Sequence, residues 1–311
     1  MKEKLGVVFD PVFLLHNPGP THPESPKRLV AVQEAIKGLD LAITGIPARV
    51  ASRDELCLVH TPGYVDHILS MKIDGIVQLD PDTAISEHSP EAARKAVGGV
   101  IEAVDRVMQG ELKKVFCAVR PPGHHAEPDR AMGFCIFNNI AIGAAHALSS
   151  WNLERVAIID WDLHHGNGTQ DAFYDSDEVL YISLHQYPFF PGTGTATEQG
   201  EGKGLGFNIN LPMVPGSSDE DFRTAFQEII IPALTNYEPE LVLISAGFDA
   251  HRDDPLGDLY LTTEYFGEMT SILNEIANVS AKGRVISVFE GGYNLQALKD
   301  CVAVHLKELV K

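Results

Sequence analysis

The sequence predicts a doubly wound α/β domain, and three features carry that prediction. Short β-branched apolar runs recur along the 311 residues. They are nearly continuous rather than alternating, as expected of strands buried on both faces of a parallel sheet. Between them lie segments of helical periodicity with readable starts. The chain is 44% hydrophobic and 22% charged, ample for a large core. Length alone suggests about two domains. No internal repeat, low-complexity tract or linker interrupts the alternation, however, so one domain over 1–311 is expected.

The elements follow in order. Val7–Phe9 reads as the first strand. Ser25-Pro26 opens a helix over 27–39, Thr61-Pro62 one over 63–71, and Ser89-Pro90 one over 91–108. Each start pairs a capping hydroxyl with proline at the first helical position. Val115–Val119, Val156–Ile159, Val179–Leu184 and Phe207–Leu211 read as strands, with Gly192–Gly206 a long loop between the last two. Ser218-Asp-Glu-Asp221 resembles a capping box ahead of the apolar stripe Phe222–Leu234. Leu241–Ala246 and Val285–Phe289 are the last strands.

Composition narrows the function classes. A formal charge of −19 argues against direct electrostatic binding to nucleic acid or anionic membranes. It suits a cationic substrate. No apolar run reaches membrane-spanning length, and the apolar stretch near the N-terminus is too short for a signal peptide. Cys57, Cys117, Cys135 and Cys301 show no CxxC spacing, and three sit in apolar contexts. They read as core residues in a reducing compartment, so a soluble cytoplasmic protein is expected.

In a doubly wound sheet, ligands bind beyond the carboxyl ends of the strands. Four of this chain's strand ends carry chemistry. After Val156–Ile159 comes Asp160-Trp-Asp-Leu-His-His165, where residues 160, 162 and 164 alternate onto one side of an extended chain. Buried acids and imidazoles are costly unless paired or metal-bound, and carboxylate with imidazole suits a divalent metal such as zinc. After Leu241–Ala246, Asp249 and His251 emerge, and either one with Asp162 and His164 makes a three-ligand set open to water and substrate. After Val115–Val119 comes Arg120-Pro-Pro-Gly-His-His125, two adjacent imidazoles on a stiff frame, suited to acid–base work. After Val285–Phe289, a Gly-Gly turn aims Tyr293 at the same crevice as an oxyanion donor. Taken singly, the last three motifs read as a helix cap or turn, a surface histidine pair and a half-buried tyrosine, whereas two acids straight after a buried strand suit a solvated turn poorly. Together they suit attack by metal-activated water on an amide carbonyl.

From His22-Pro-Glu-Ser-Pro-Lys-Arg28 to Gly291-Gly-Tyr293, the motifs resemble those of the histone deacetylase superfamily, which includes bacterial histone deacetylase-like amidohydrolases and acetylpolyamine amidohydrolases. His-His-Gly-Asn-Gly168 and Gly-Phe-Asp-Ala-His251 resemble its class II branch. The resemblance implies an arginase-like fold on an eight-stranded parallel sheet flanked by helices. It makes Asp162, His164 and Asp249 the ligands of one zinc ion per chain. It makes His125 the general base, His124 its electrostatic partner, and Tyr293 the donor to the acyl carbonyl. Asp160 would stand behind His124, and Asn167 behind His125 in place of the class I aspartate, leaving that histidine less basic. Gly133, Phe134 and Phe190 would line the acyl tunnel with Gly291, Gly292 and Leu256, and Arg28 would lie near the pocket behind the zinc. His165 would be structural. The loop Asp82–Ser89 would supply the rim residue that grips substrate, with Ser86, Glu87 and His88 as candidates.

The resemblance further implies two structural K⁺ or Na⁺ sites. One involves Asp160, Asp162, His164, Ser183 and Leu184; the other involves Phe173, Ser176, Val179 and Phe207. The expected activity is zinc-dependent removal of acetyl or other short acyl groups from acylated amines. Leu256, where polyamine-selective relatives carry a glutamate, points to acyl-lysine rather than small polyamine substrates. Acetylpolyamine hydrolysis, a binuclear ureohydrolase and a catalytically idle acyl-amine binding module are the competing readings. No direct nucleic-acid or membrane partner is expected, and assembly into a homo-oligomer stays open.

Overall fold

The computed structural model describes residues 4–311. Its strands are β1 (Leu5–Val8), β2 (Ile43–Ile46), β3 (Val77–Asp80), β4 (Thr83–Ile85), β5 (Lys114–Cys117), β6 (Val156–Asp160), β7 (Val179–Gln186), β8 (Asn208–Met213), β9 (Leu241–Ala246) and β10 (Val285–Phe289). Eight of them form one sheet in the order β2-β1-β5-β10-β9-β6-β7-β8. All its pairings are parallel. Every residue of β6, β9 and β10 is buried, which is why those runs are almost wholly apolar, broken only by Asp160, Ser245 and Ser287. The helices Pro26–Lys37, Thr263–Ser280 and Leu295–Leu309 pack side by side, as do Ser89–Met108 and Asn139–Trp151, and together they flank the sheet.

This strand order makes the site. β5, β10, β9 and β6 are consecutive across the sheet although 167 residues lie between β5 and β10 in the chain, 38 between β9 and β10, and 80 between β6 and β9. Their ends are nearly level: Val288 pairs with Cys117, Phe289 with Ala246, and Asp160 with Ser245. The loops leaving these strands therefore meet over one edge.

Several expectations need correction. The edge strand β2 carries no apolar run because three of its four residues are exposed, so nothing in its composition marks it. The antiparallel hairpin β3–β4, centred on Asp-Pro-Asp82, likewise reads as a loop in the sequence. Phe207 precedes β8 rather than belonging to it. Thr61 caps its helix by accepting from the Tyr64 N–H at 3.4 Å. Ser89 does not cap: the cap position is His88, and Ser89 Oγ accepts from Ser86 N–H at 2.8 Å and meets His16 Nδ1 at 2.7 Å. Ser25 holds the cap position without a side-chain bond. At Ser218, the Asp221 carboxylate accepts from both the backbone N–H and Oγ. The stripe beyond it is not one α-helix, because residues 226–230 form a π turn just ahead of Pro232. Proline lacks the N–H and crowds the preceding turn, which locally disfavours α geometry. All four cysteines are free, and among the described residues no helix is long and apolar enough to cross a membrane.

Candidate active site

The loop after β6 brings Asp162 and His164 against Asp249 from the loop after β9. One ligand atom from each lies within 4.8 Å of the other two. His164 Nδ1 is 3.1 Å from Asp162 Oδ1 and 3.2 Å from Asp249 Oδ2. Backbone donors fix the two carboxylates. Asp162 Oδ2 accepts from Gly291 N–H at 2.8 Å, and Asp249 Oδ1 accepts from Leu163 N–H at 2.9 Å. A side chain on Gly291 would run into both carboxylates, so only glycine lets the β10 loop approach this closely. Two carboxylate oxygens and one imidazole nitrogen, with one side left open, fit a divalent ion of the zinc type. His251, the other candidate, points elsewhere: its Nε2 meets Thr263 Oγ1 at 3.2 Å.

The two histidines after β5 lie tilted at 47° with ring centroids 4.0 Å apart, yet their surroundings drive them apart electrically. His124 Nδ1 lies 3.0 Å from Asp160 Oδ2, which also accepts from Tyr181 Oη at 3.0 Å. Burial disfavours a charged His124, but Asp162 and Asp160 outweigh it and raise the imidazole to about 10. His125 Nδ1 instead meets the neutral Asn167 Oδ1 at 2.8 Å. Burial, then the positive His124 and His164, hold His125 well below its ordinary range. One neutral and one protonated imidazole thus stand side by side, the arrangement a base–acid pair needs.

A cavity of about 90 Å³ opens onto these groups, lined by His124, His125, His164, Phe134, Phe190 and Tyr293, with Asp82, Pro122, Gly133, Leu256 and Gly291 completing the wall. Phe190 stands T-shaped to His125 at 5.2 Å, and Phe134 T-shaped to Tyr293 at 6.0 Å. Gly133 and Phe134 both have left-handed backbones, with φ of 56° and 68°. A Cβ at Gly133 would strike the His125 ring. The β3–β4 hairpin holds this turn: Asp82 Oδ1 accepts from Gly133 N–H and Thr83 Oγ1 from Phe134 N–H, each at 3.0 Å. Asp82 is therefore the pocket residue of the 82–89 loop. Ser86 is instead engaged with Ser89 and Asn17, and Glu87 and His88 face solvent at the start of the next helix.

Behind the cavity, Arg28 is fully buried. Its Nε donates to Gly292 O at 2.7 Å, Nη2 donates to Glu290 O, and its guanidinium lies 4.7 Å from the Tyr293 ring centre. Gly292 thus serves through its carbonyl rather than in the cavity wall. Glu24 accepts from Arg28 and Arg120 and lies 3.3 Å from His16. Burial opposes its ionisation, but Arg120 and His16 outweigh that and hold the carboxyl well below the usual range. Glu290 Oε2 accepts from Gly123 N–H at 2.7 Å and His124 N–H at 3.3 Å, joining the histidine loop to the tyrosine loop. Sequence reasoning missed Asp82, Glu290, Arg120 and Tyr181. Only Glu290, an acid directly after a buried strand, carried the signal that marked Asp160.

His165 Nδ1 bonds Thr193 Oγ1 at 2.8 Å, away from the three-ligand cluster. Of the residues expected to hold monovalent cations, Asp160 and Ser183 are cross-strand partners, with Leu184 next on β7. In the other set, Phe173 O accepts from Ser176 N–H at 3.1 Å and Phe207 O from Tyr181 N–H at 2.9 Å, beside the start of β7 at Val179.

Comparison with known proteins agrees with this geometry. The family model described as the histone deacetylase domain matches residues 22–309. A histone deacetylase-like amidohydrolase of Pseudomonas aeruginosa is 37% identical over 99% of this chain and 87% of its own length. A probable deacetylase of Archaeoglobus fulgidus is 38% identical over 94% of this chain and 82% of its own. The crystal structure of the HDA15 HD domain superposes with a TM-score of 0.94 at 37% identity, covering 99% of this chain and 90% of that one. The eight-stranded parallel sheet flanked by helices is the same arginase-like fold.

Proposed function

Because this chain belongs to the histone deacetylase family, we propose that it is a zinc-dependent amidohydrolase that removes acetyl or other short acyl groups from acylated amines, acyl-lysine above all. The observation that carries the reading is the convergence of Asp162, His164 and Asp249 with His124, His125 and Tyr293 on one narrow cavity. Asp162, His164 and Asp249 would hold the zinc, which when bound supplies a Lewis acid beside the scissile carbonyl. His125 Nε2 takes a proton from the attacking water, since its Nδ1 is committed to Asn167. Tyr293 Oη donates to the carbonyl oxygen as negative charge develops there. His124, held cationic by Asp160, stabilises that charge, and a protonated histidine returns a proton to the leaving amine. Phe134 and Phe190 flank the alkyl stem of the substrate, and Asp82 lines the same cavity.

Leu256 in the wall supports an acyl-lysine substrate, because it offers no charge to a second amine. K⁺ or Na⁺ at the Asp160–Leu184 and Phe173–Phe207 positions would be structural. Four free cysteines support work in the reducing cytoplasm. The test is acetate release by zinc-loaded protein from an acetyl-lysine peptide, N-acetylputrescine and N-acetylspermidine in one assay. Fastest turnover of the peptide supports the reading. Fastest turnover of a polyamine makes it an acetylpolyamine amidohydrolase, and acetate from none of the three overturns the activity.

A further inference from the structure

Asn167 stands between two groups, and one of them decides how it serves the other. On one side its amide nitrogen lies 2.7 Å from Glu127 Oε1. On the other its amide oxygen lies 2.8 Å from His125 Nδ1. An ionised carboxylate only accepts hydrogen bonds, so the end of Asn167 that faces Glu127 must be the NH₂ group. The end facing His125 is then a carbonyl, which also only accepts. His125 Nδ1 must therefore carry the proton, and a neutral His125 has its lone pair on Nε2, the nitrogen left for the cavity. The other neighbours of the Asn167 nitrogen are the His125 carbonyl at 3.5 Å and Met132 Sδ at 3.2 Å, both weaker acceptors. Arg130 clasps Glu127 through two bonds of 2.7 Å, from Nε to Oε2 and from Nη2 to Oε1.

We propose that Glu127 is the positioning residue that sets the tautomer of His125, acting through the Asn167 amide. The inference rests on the reading of His125 as general base. Without the carboxylate, the Asn167 amide is free to turn over and present its NH₂ to His125 Nδ1. That orientation favours the tautomer protonated on Nε2, which cannot accept a proton from water. Glu127 thus supplies, one hydrogen bond further out, an anion that does not touch the imidazole directly.

The test is ¹⁵N NMR of histidine-labelled, zinc-loaded protein combined with a double-mutant cycle. The wild-type protein is expected to show His125 protonated on Nδ1 and bare on Nε2; the opposite tautomer in wild type overturns the proposal before any variant is made. E127M is expected to lose that single signature and to lower kcat by about 10- to 100-fold, the loss typical of removing an outer partner of a site, with KM nearly unchanged. In an N167D background, a fixed acceptor faces His125 whatever stands at 127, so E127M should then cost nothing. Equal losses in both backgrounds would mean that Glu127 only supports the fold. Because the tautomer is read without turnover, an inactive wild type would count against the proposed activity alone.

Discussion

Arg28 and Tyr293 are joined through the backbone rather than through their polar tips: the guanidinium lies 4.7 Å from the ring centre while Nε holds the carbonyl of Gly292 at 2.7 Å. The tyrosine is thus aimed by a buried arginine whose own charge is met by Glu24. Removing the arginine leaves that carboxylate buried with less compensation. R28M is expected to lower unfolding free energy by about 3–5 kcal/mol, the usual cost of breaking a buried pair from one side. Urea unfolding followed by circular dichroism measures it, and a loss under about 1 kcal/mol would show that Arg120 suffices for Glu24.

Tyr293 is raised well above its ordinary range by burial, so its hydroxyl stays a donor at any working pH. Y293F keeps the ring against Phe134 and removes only that donor. Its kcat is expected to fall by about 10²–10³, as for loss of one oxyanion donor, with zinc content unchanged. Full turnover in metal-loaded Y293F would remove Tyr293 from the chemistry.

Among the described residues, Asp162, His164 and Asp249 form one three-ligand cluster. Metal analysis is expected to find one divalent ion per chain, and D249N should lose it along with activity while keeping the helical circular dichroism signal. Two ions per chain would instead favour a binuclear ureohydrolase.

Asp82 holds the strained Gly133–Phe134 turn that forms one wall of the cavity. D82A should let that wall relax, with kcat/KM falling by about tenfold or more, since small displacements at a reacting centre are costly. Unchanged steady-state kinetics would show that Thr83 alone keeps the turn.

Three buried histidines outside the ligand set predict a pH effect on stability. Burial lowers His60 and His185 to about 4 and His305 to about 3. Unfolded, each would titrate near about 6.5. Between those values the unfolded chain binds more protons, so stability is present above the unfolded pKa and is lost as pH falls. Each contributes up to about 1.4 kcal/mol per pH unit over that window. The urea midpoint should therefore drop steadily from pH 7 to pH 5, and a flat profile would mean that these imidazoles are solvated.

The sequence by itself determined the fold class and the groups at the strand ends. Asp160, Asp162, His164, Asp249, the His124–His125 pair and Tyr293 each lie within a few residues of the end of a buried apolar run, and a polar group in that position is a local signal. What only the tertiary structure decided is which groups meet. The order β5-β10-β9-β6 gathers four loops that are scattered along the chain, and it selects Asp249 over His251. Asp82, the role of Glu290 (though not its place at a strand end) and Glu127 were illegible for the same reason. Their work is to accept hydrogen bonds from residues 51, 167 and 40 positions away, and no local pattern records such a bond. A strand end can announce a charge, but its partner is chosen by the packing of the sheet.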